Sequence, residues 1–182
     1  PNTVLVAVLG HLWSKNSNRG VFRTTDGGRN WQQVLYINDS TGANDVVISP
    51  SDPNIVYASS WELYPGISGR GSGVYRSADG GKSWSPVTSG LPTGPKLGRI
   101  GLAVSSHDPQ KVYALVDNLA NKKDEAAELY RSTNGGKTWT RTHAAPFMIF
   151  PGIGWYFTDV YLDSGNDDEV YCLGVRLAHS TD

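Results

Sequence analysis

The sequence predicts an all-β fold of β-propeller blades: four-stranded antiparallel sheets, about three blades of an incomplete ring in 182 residues. Three observations carry this. One eight-residue phrase occurs three times, as Thr24-Thr-Asp26-Gly-Gly28-Arg-Asn30-Trp31, Ser77-Ala-Asp79-Gly-Gly81-Lys-Ser83-Trp84 and Ser132-Thr-Asn134-Gly-Gly136-Lys-Thr138-Trp139. Its second glycines lie 53 and 55 residues apart, a period that belongs to propeller blades rather than to helical solenoids. A second phrase, built around Asp-Pro, recurs between the first ones. The composition agrees, since 38% hydrophobic residues with 21 Gly and 10 Pro suit many short strands joined by turns and leave little room for helix.

Each element follows from local chemistry. Val21-Phe22-Arg23, Val74-Tyr75-Arg76 and Leu129-Tyr130-Arg131 read as strands, whose side chains alternate between faces. The Asp or Asn then turns the chain, its side-chain oxygen accepting backbone N–H groups two residues on, and the Gly pair supplies positive φ without a Cβ clash. Tryptophan opens the return strand and covers the glycines. Because Asn134 keeps the acceptor but not the charge, the turn needs a hydrogen bond rather than an ion, so Asp26, Gly28, Trp31, Asp79, Gly81, Trp84, Asn134, Gly136 and Trp139 are expected to be structural. In the second phrase, Asp52-Pro53 and Asp108-Pro109 separate two apolar runs, because proline fixes φ and lacks a donor; residues 160–172 repeat it loosely. Each period thus holds four strands, with repeats at about 1–52, 53–108 and 109–166 and the start of a fourth at 167–182.

Both ends of the sequence fall inside this pattern. Pro1-Asn2-Thr3-Val4-Leu5 aligns with Pro53-Asn54-Ile55-Val56-Tyr57, and Ser180-Thr181-Asp182 repeats the opening of a box. The expectation is a piece of a longer protein, since rings hold four to eight blades. Unpaired sheet edges would then favour self-association or pairing with missing blades.

Charge and composition exclude several function classes. A net charge of −1 without a basic cluster argues against nucleic acid, and no apolar run reaches membrane-spanning length. Cys172 reads as a small buried hydrophobe. No cofactor or metal is called for. Residues 163–169 are rich in oxygen ligands of the kind calcium uses, but they replace an Asp-Pro turn and read as a solvated acidic turn. The one helix-compatible stretch is 121–128, inside a long connection.

The S/T-x-D-x-G-x-x-W boxes resemble the BNR or Asp-box repeats of β-propellers, a set including sialidases, xyloglucanase-type glycoside hydrolases and sortilin (Vps10-type) receptors. The wider pattern, with Gly90-Leu91-Pro92 and Gly98-Arg99-Ile100-Gly101, is similar to bacterial secreted or periplasmic proteins of sortilin-like or glycosyl-hydrolase-like type. The likeness covers the whole chain. It implies an extracytoplasmic location and boxes that carry no catalysis, and it does not choose between enzyme and receptor. Arg99-Ile100 is followed by Gly101 rather than the Pro of the sialidase Arg-Ile-Pro motif, which argues against sialidase activity.

Topology places function on the opposite side of the disc. Asp-Pro turns and boxes share one face of a four-stranded meander, and the long loops share the other. Loops on a rigid scaffold carry recognition. The candidate binding residues there are Trp13, Trp61, Arg99, Trp155 and Tyr156, with Tyr64 and Phe157 nearby. Asp45 and Asp159 head alternate inner strands, and with Glu62 they are the candidate catalytic acids, since inverting glycoside hydrolysis uses two carboxyls about 6.5 to 9.5 Å apart. His11 is read as locally hydrogen-bonded. Two readings stay open: a module binding glycan, peptide or protein on the long-loop face, and a glycoside hydrolase.

Overall fold

The computed structural model describes residues 1–122, 125–145 and 147–181. Among them the chain forms four antiparallel sheets and runs through each from one neighbouring strand to the next. The first sheet holds β1 (Val4–Val8), β2 (Gly20–Thr24) and β3 (Gln32–Leu35). In the second are β4 (Thr41–Ile48), β5 (Val56–Glu62), β6 (Gly73–Ser77) and β7 (Ser85–Val87). The third has β8 (Leu97–Val104), β9 (Val112–Asn118), β10 (Ala127–Ser132) and β11 (Thr140–Arg141). The fourth has β12 (Asp159–Leu162), β13 (Val170–Leu173) and β14 (Leu177–Ser180). A sequence period counted from one Asp-Pro turn to the next is offset by one strand from a sheet: it supplies three strands to one blade and the inner strand of the following one.

The sheets stand in radial order because their inner strands lie side by side, β4 against β8 and β8 against β12. Polar ties hold them there. Asn44 Nδ2 and Ser59 Oγ both donate to the Ile100 carbonyl at 2.7 Å, and the Leu102 N–H donates to Asp45 Oδ2 at 2.9 Å. Gly101 has no room for a side chain, since a Cβ there would sit 2.2 Å from the Thr158 carbonyl oxygen. The core is divided among the blade interfaces. Val21 and Ala58 pack with Leu5, Tyr75 and Trp84; Tyr57 and Val74 pack with Ala114, Tyr130 and Trp139; Tyr113, Leu115, Phe150, Val160 and Cys172 form the third cluster. β9 is buried along nearly its whole length, which is why residues 112–116 are an unbroken apolar run rather than an alternating one. Burial pushes the Cys172 thiol up to about 12.

All three boxes close by one hydrogen-bond scheme. The Ser77 hydroxyl donates to Asp79 Oδ1 and accepts from the Asp79 and Gly81 N–H groups, while Asp79 Oδ1 accepts from the Lys82 and Ser83 N–H groups. Thr24 with Asp26 and Ser132 with Asn134 do the same. The turn acid therefore reaches three and four residues on rather than two, and the hydroxyl takes the nearer amides. These donors hold the Asp26 carboxyl down at about 2, Asn30 first among them. Gly28, Gly81 and Gly136 all have positive φ, as the turn requires. Blades are also tied through the boxes: Arg23 Nε donates to the Gly80 carbonyl and Arg76 Nε to that of Gly135, both at 3.0 Å.

Two sequence expectations shift. In the helix-compatible stretch, Ala127 and Glu128 belong to β10, because they pair with Asp117 and Val116 of β9; Lys123 and Asp124 lie outside the described residues, as does Asp182 of the fourth box. The acidic turn at 163–169 folds around its own backbone, with Asp163 Oδ1 accepting from the Gly165 and Asn166 N–H groups. Asp167 and Asp168 face the third sheet, where they meet His107 and Lys111, while Glu169 pairs with His179 of its own sheet.

Candidate functional site

Among the described residues, the connections 9–19, 36–40, 63–72 and 88–96 and those that follow Asn118 and Arg141 all leave the sheets at the end away from the boxes, as the antiparallel pairings require. Between the inner strands runs an open cleft of about 560 Å³, lined by Asn44, Asp45, Arg99, Asp159 and Tyr161 among others. Two irregularities shape its mouth. The register shifts in β4 between Ala43 and Asp45 and in β8 between Leu97 and Ile100, and such bulges bend a strand and re-aim its side chains.

Arg99, released by the second bulge, organises this mouth. Its Nη2 lies 3.6 Å from Asp159 Oδ1, and its Nη1 donates to the Tyr156 carbonyl at 2.7 Å. Asp45 and Asp159 hold equivalent positions, three residues before Ile48 and Leu162, which pair with Val56 and Val170 at the start of the next strand. Burial raises the Asp45 carboxyl above its ordinary range and the negative charge of Asp159 adds to this, against the Leu102 and Val46 N–H groups and Arg99. Both acids are thus engaged, Asp45 with a backbone amide and Asp159 with a guanidinium, while their cleft stays open. Carboxylates and a guanidinium set this way offer acceptors and donors to a hydroxyl-rich or peptide-like ligand.

Beside the mouth stands an aromatic group. Trp155 and Tyr156 meet edge to face with ring centroids 5.6 Å apart, and Tyr156 and Phe157 do so at 4.7 Å. They are 37%, 60% and 37% exposed, which leaves ring faces free for contact. Buried Thr158 fixes the base of this segment by donating to the Gly154 carbonyl. Arg99 therefore joins Asp159 and the Trp155–Tyr156 segment into one surface.

The other sequence candidates lie apart from it. Trp13 is 86% exposed on the 9–19 loop, whose base is clamped by the fully buried Arg19 donating to the carbonyls of Leu9, His11 and Ser14. His11 Nδ1 pairs with Ser14 Oγ at 3.2 Å. Trp61 is buried inside β5 and its indole N–H donates to the Ile67 carbonyl, so it shapes the 63–72 loop from within. Glu62 does likewise, accepting the Gly71 N–H at 2.7 Å. The Tyr64 segment belongs to this same loop.

Two buried acids escaped the sequence reading. Asp117, at the end of β9, is 1% exposed, and neither carboxylate oxygen has a hydrogen-bond partner. It fits only because Gly98 and Gly154 flank it, since a Cβ on either would fall within 2.9 Å of its atoms. Burial pushes its carboxyl up to about 7. An acid closing the apolar run of residues 112–116, where the preceding repeat has Trp61, was the available signal. Glu128 accepts from Asn118, Asn121 and Tyr130 and pairs with Arg141, which together outweigh its burial and hold it below the usual range. Its partners lie in three separate segments, so no local motif announces it.

Comparison with known proteins places the chain. It is 30% identical over 176 residues to a xyloglucanase from Paenibacillus sp., a match covering 85% of this chain and 16% of that protein. Among solved structures, the GH74 xyloglucanase of Xanthomonas campestris superposes with a TM-score of 0.67 at 16% identity, over 98% of this chain and 25% of that one. The α-L-arabinofuranosidase Arb93A of Fusarium graminearum gives 0.53 at 14% identity, over 99% and 59%. The chain therefore spans about a sixth of its curated relative. No helix among the described residues is long and apolar enough to cross a membrane. The family described as "Sortilin, neurotensin receptor 3" (Sortilin-Vps10) matches residues 19–178, and the chain belongs to that family of Asp-box propellers.

Proposed function

We propose that this propeller segment works outside the cytoplasm as a binding module for a glycan, with Trp155 and Tyr156 stacking on sugar rings and Arg99, Asp45 and Asp159 meeting hydroxyl groups at the cleft mouth. The observation that carries the reading is the exposed aromatic group joined by Arg99 to an open, acid-lined cleft. Flat aromatic faces bind sugar rings through their C–H-rich sides, and a few fixed polar groups set orientation. The relatives named for acting on polysaccharides support a glycan over a peptide or protein ligand.

The test is binding of xyloglucan oligosaccharides and of a glycan array to the whole chain and to its Trp155→Ala and Tyr156→Ala variants. A loss of about tenfold or more for either variant is expected; unchanged affinity, or binding of peptides alone, would remove the glycan reading.

A second reading, glycoside hydrolysis, rests on one feature: Asp45 has a raised pKa and shares its cleft with Asp159, the pairing that acid–base cleavage uses. If it holds, the chain releases reducing ends from xyloglucan and Asp45→Asn abolishes that release. Absence of turnover by the whole chain leaves binding alone.

A further inference from the structure

Buried Asp117 lies beneath the recognition surface rather than in it. Its carboxyl is walled by two glycines, and each immediately precedes a residue of the proposed site: Gly98 precedes Arg99, and Gly154 precedes Trp155. A Cβ on Gly98 would stand 2.9 Å from Oδ2, and one on Gly154 would stand 2.5 Å from Cγ and 2.7 Å from both oxygens. Neither oxygen has a hydrogen-bond partner among the described residues. A neutral carboxylic acid tolerates such a niche far better than a carboxylate, whose burial without a donor or counter-ion is costly.

The walls of this niche are not equally firm. Gly98 belongs to β8, and Ala127, across from Asp117, belongs to β10, both within a four-stranded sheet. Gly154 belongs to a single turn, closed by the Tyr156 and Phe157 N–H groups donating to the Ile153 carbonyl and by Thr158 donating to the Gly154 carbonyl. Arg99 ties that turn to β8 through the Tyr156 carbonyl. Lifting one turn costs less than parting the sheet. No neighbouring charge offsets the acid. On β8, Arg99 is turned to Asp159 of β12 and to the Tyr156 carbonyl; on β10, Glu128 is held by Asn118, Asn121, Tyr130 and Arg141. In the connections, His143 accepts the Leu129 N–H and donates to the Ala145 carbonyl, and Lys122 faces Glu125. Burial alone pushes the Asp117 carboxyl up to about 7.

We propose that Asp117 is a proton-operated latch under the aromatic surface. Protonated, it lets the 153–157 turn close over it and hold Trp155 and Tyr156 in place. When it ionises, its proton passes to water and the turn lifts so that water reaches the carboxylate, which breaks the tie between Arg99 and the Tyr156 carbonyl and disperses the surface. With the turn closed the acid keeps its proton up to about 7; with the turn lifted it ionises near about 3.9. Opening therefore grows by about tenfold per pH unit from about 4 to about 7 and is level above. The consequence for ligand binding rests on the glycan reading, and the opening itself does not.

Amide hydrogen exchange of the whole chain across this pH interval, corrected for the intrinsic exchange rate, tests it. In wild type the Tyr156 and Phe157 amides are expected to lose protection by about tenfold per pH unit up to about pH 7, ahead of the amides of β8 and β9. In Asp117→Asn, whose side chain does not ionise, their protection stays level; Asp117→Ala gives the same level profile should the amide variant not fold. A level wild-type profile, a loss shared equally by β8 and β9, or a slope that survives in the variant would overturn the proposal. Affinity for xyloglucan oligosaccharides is expected to fall over the same interval in wild type and to fall less in Asp117→Asn. Absence of glycan binding at every pH removes the glycan reading, while the exchange slope and its loss in the variant still establish the latch.

Discussion

The two ends of the sheets are built by opposite rules. At the box end, three turns of different sequence share one hydrogen-bond scheme, and two of them are tied to the preceding blade by an arginine at the same distance. At the loop end nothing repeats: one connection is clamped by the buried Arg19, one by Glu62, one by Glu128, and one by Arg99 and Thr158. The box end satisfies its turn amides locally and buries Trp139 between blades. The loop end leaves aromatics exposed and a buried acid without partners. A scaffold whose stability comes from one end can vary the other at small cost, which is the usual division between framework and recognition surface.

Mutations sharpen that contrast. Trp139→Ala removes a buried indole from the interface of the second and third sheets, and a loss of about 3–5 kcal/mol is expected in denaturant unfolding. Next comes Asp117, where the loop end is the strained one. In the unfolded chain its carboxyl ionises near about 3.9, whereas in the fold it holds its proton up to about 7. Between these values the unfolded chain has released a proton that the folded chain keeps, so stability falls as pH rises from about 4 to about 7 and is level above. The penalty at neutral pH reaches up to about 4 kcal/mol, and Asp117→Asn is expected to flatten the profile; a wild-type stability that rises over this interval would refute the assignment. Ser77→Ala strips the Gly81 N–H of its acceptor in a buried turn, costing about 1–3 kcal/mol in thermal unfolding. Trp155→Ala should change stability by no more than about 0.5 kcal/mol while weakening ligand binding, and a large stability loss would make that ring part of the framework.

Much of this was legible in residues alone. The boxes and Asp-Pro turns depend on contacts within a few positions, so their spacing gave the strand order and the side on which each connection emerges. The exposed Trp155-Tyr156-Phe157 segment and the shared position of Asp45 and Asp159 were visible for the same reason. Trp61 and Glu62 looked like loop residues but close β5, because their partners at Ile67, Gly71 and Ser72 come from a fold-back that no periodicity marks. Asp117 and Glu128 were missed because what matters about each is its surroundings: two glycines from separate segments around one, four donors around the other.

By itself the sequence determined the repeating unit, since a turn closed by its own hydroxyl, carboxylate and glycines needs nothing from the rest of the chain. Tertiary structure decided the site. Only when β4, β8 and β12 stand side by side do Asp45, Arg99 and Asp159 share a cleft, and only the bulge in β8 turns Arg99 toward Asp159 and the Tyr156 carbonyl. Those contacts join residues more than fifty positions apart, and packing between blades, not local preference, sets such distances.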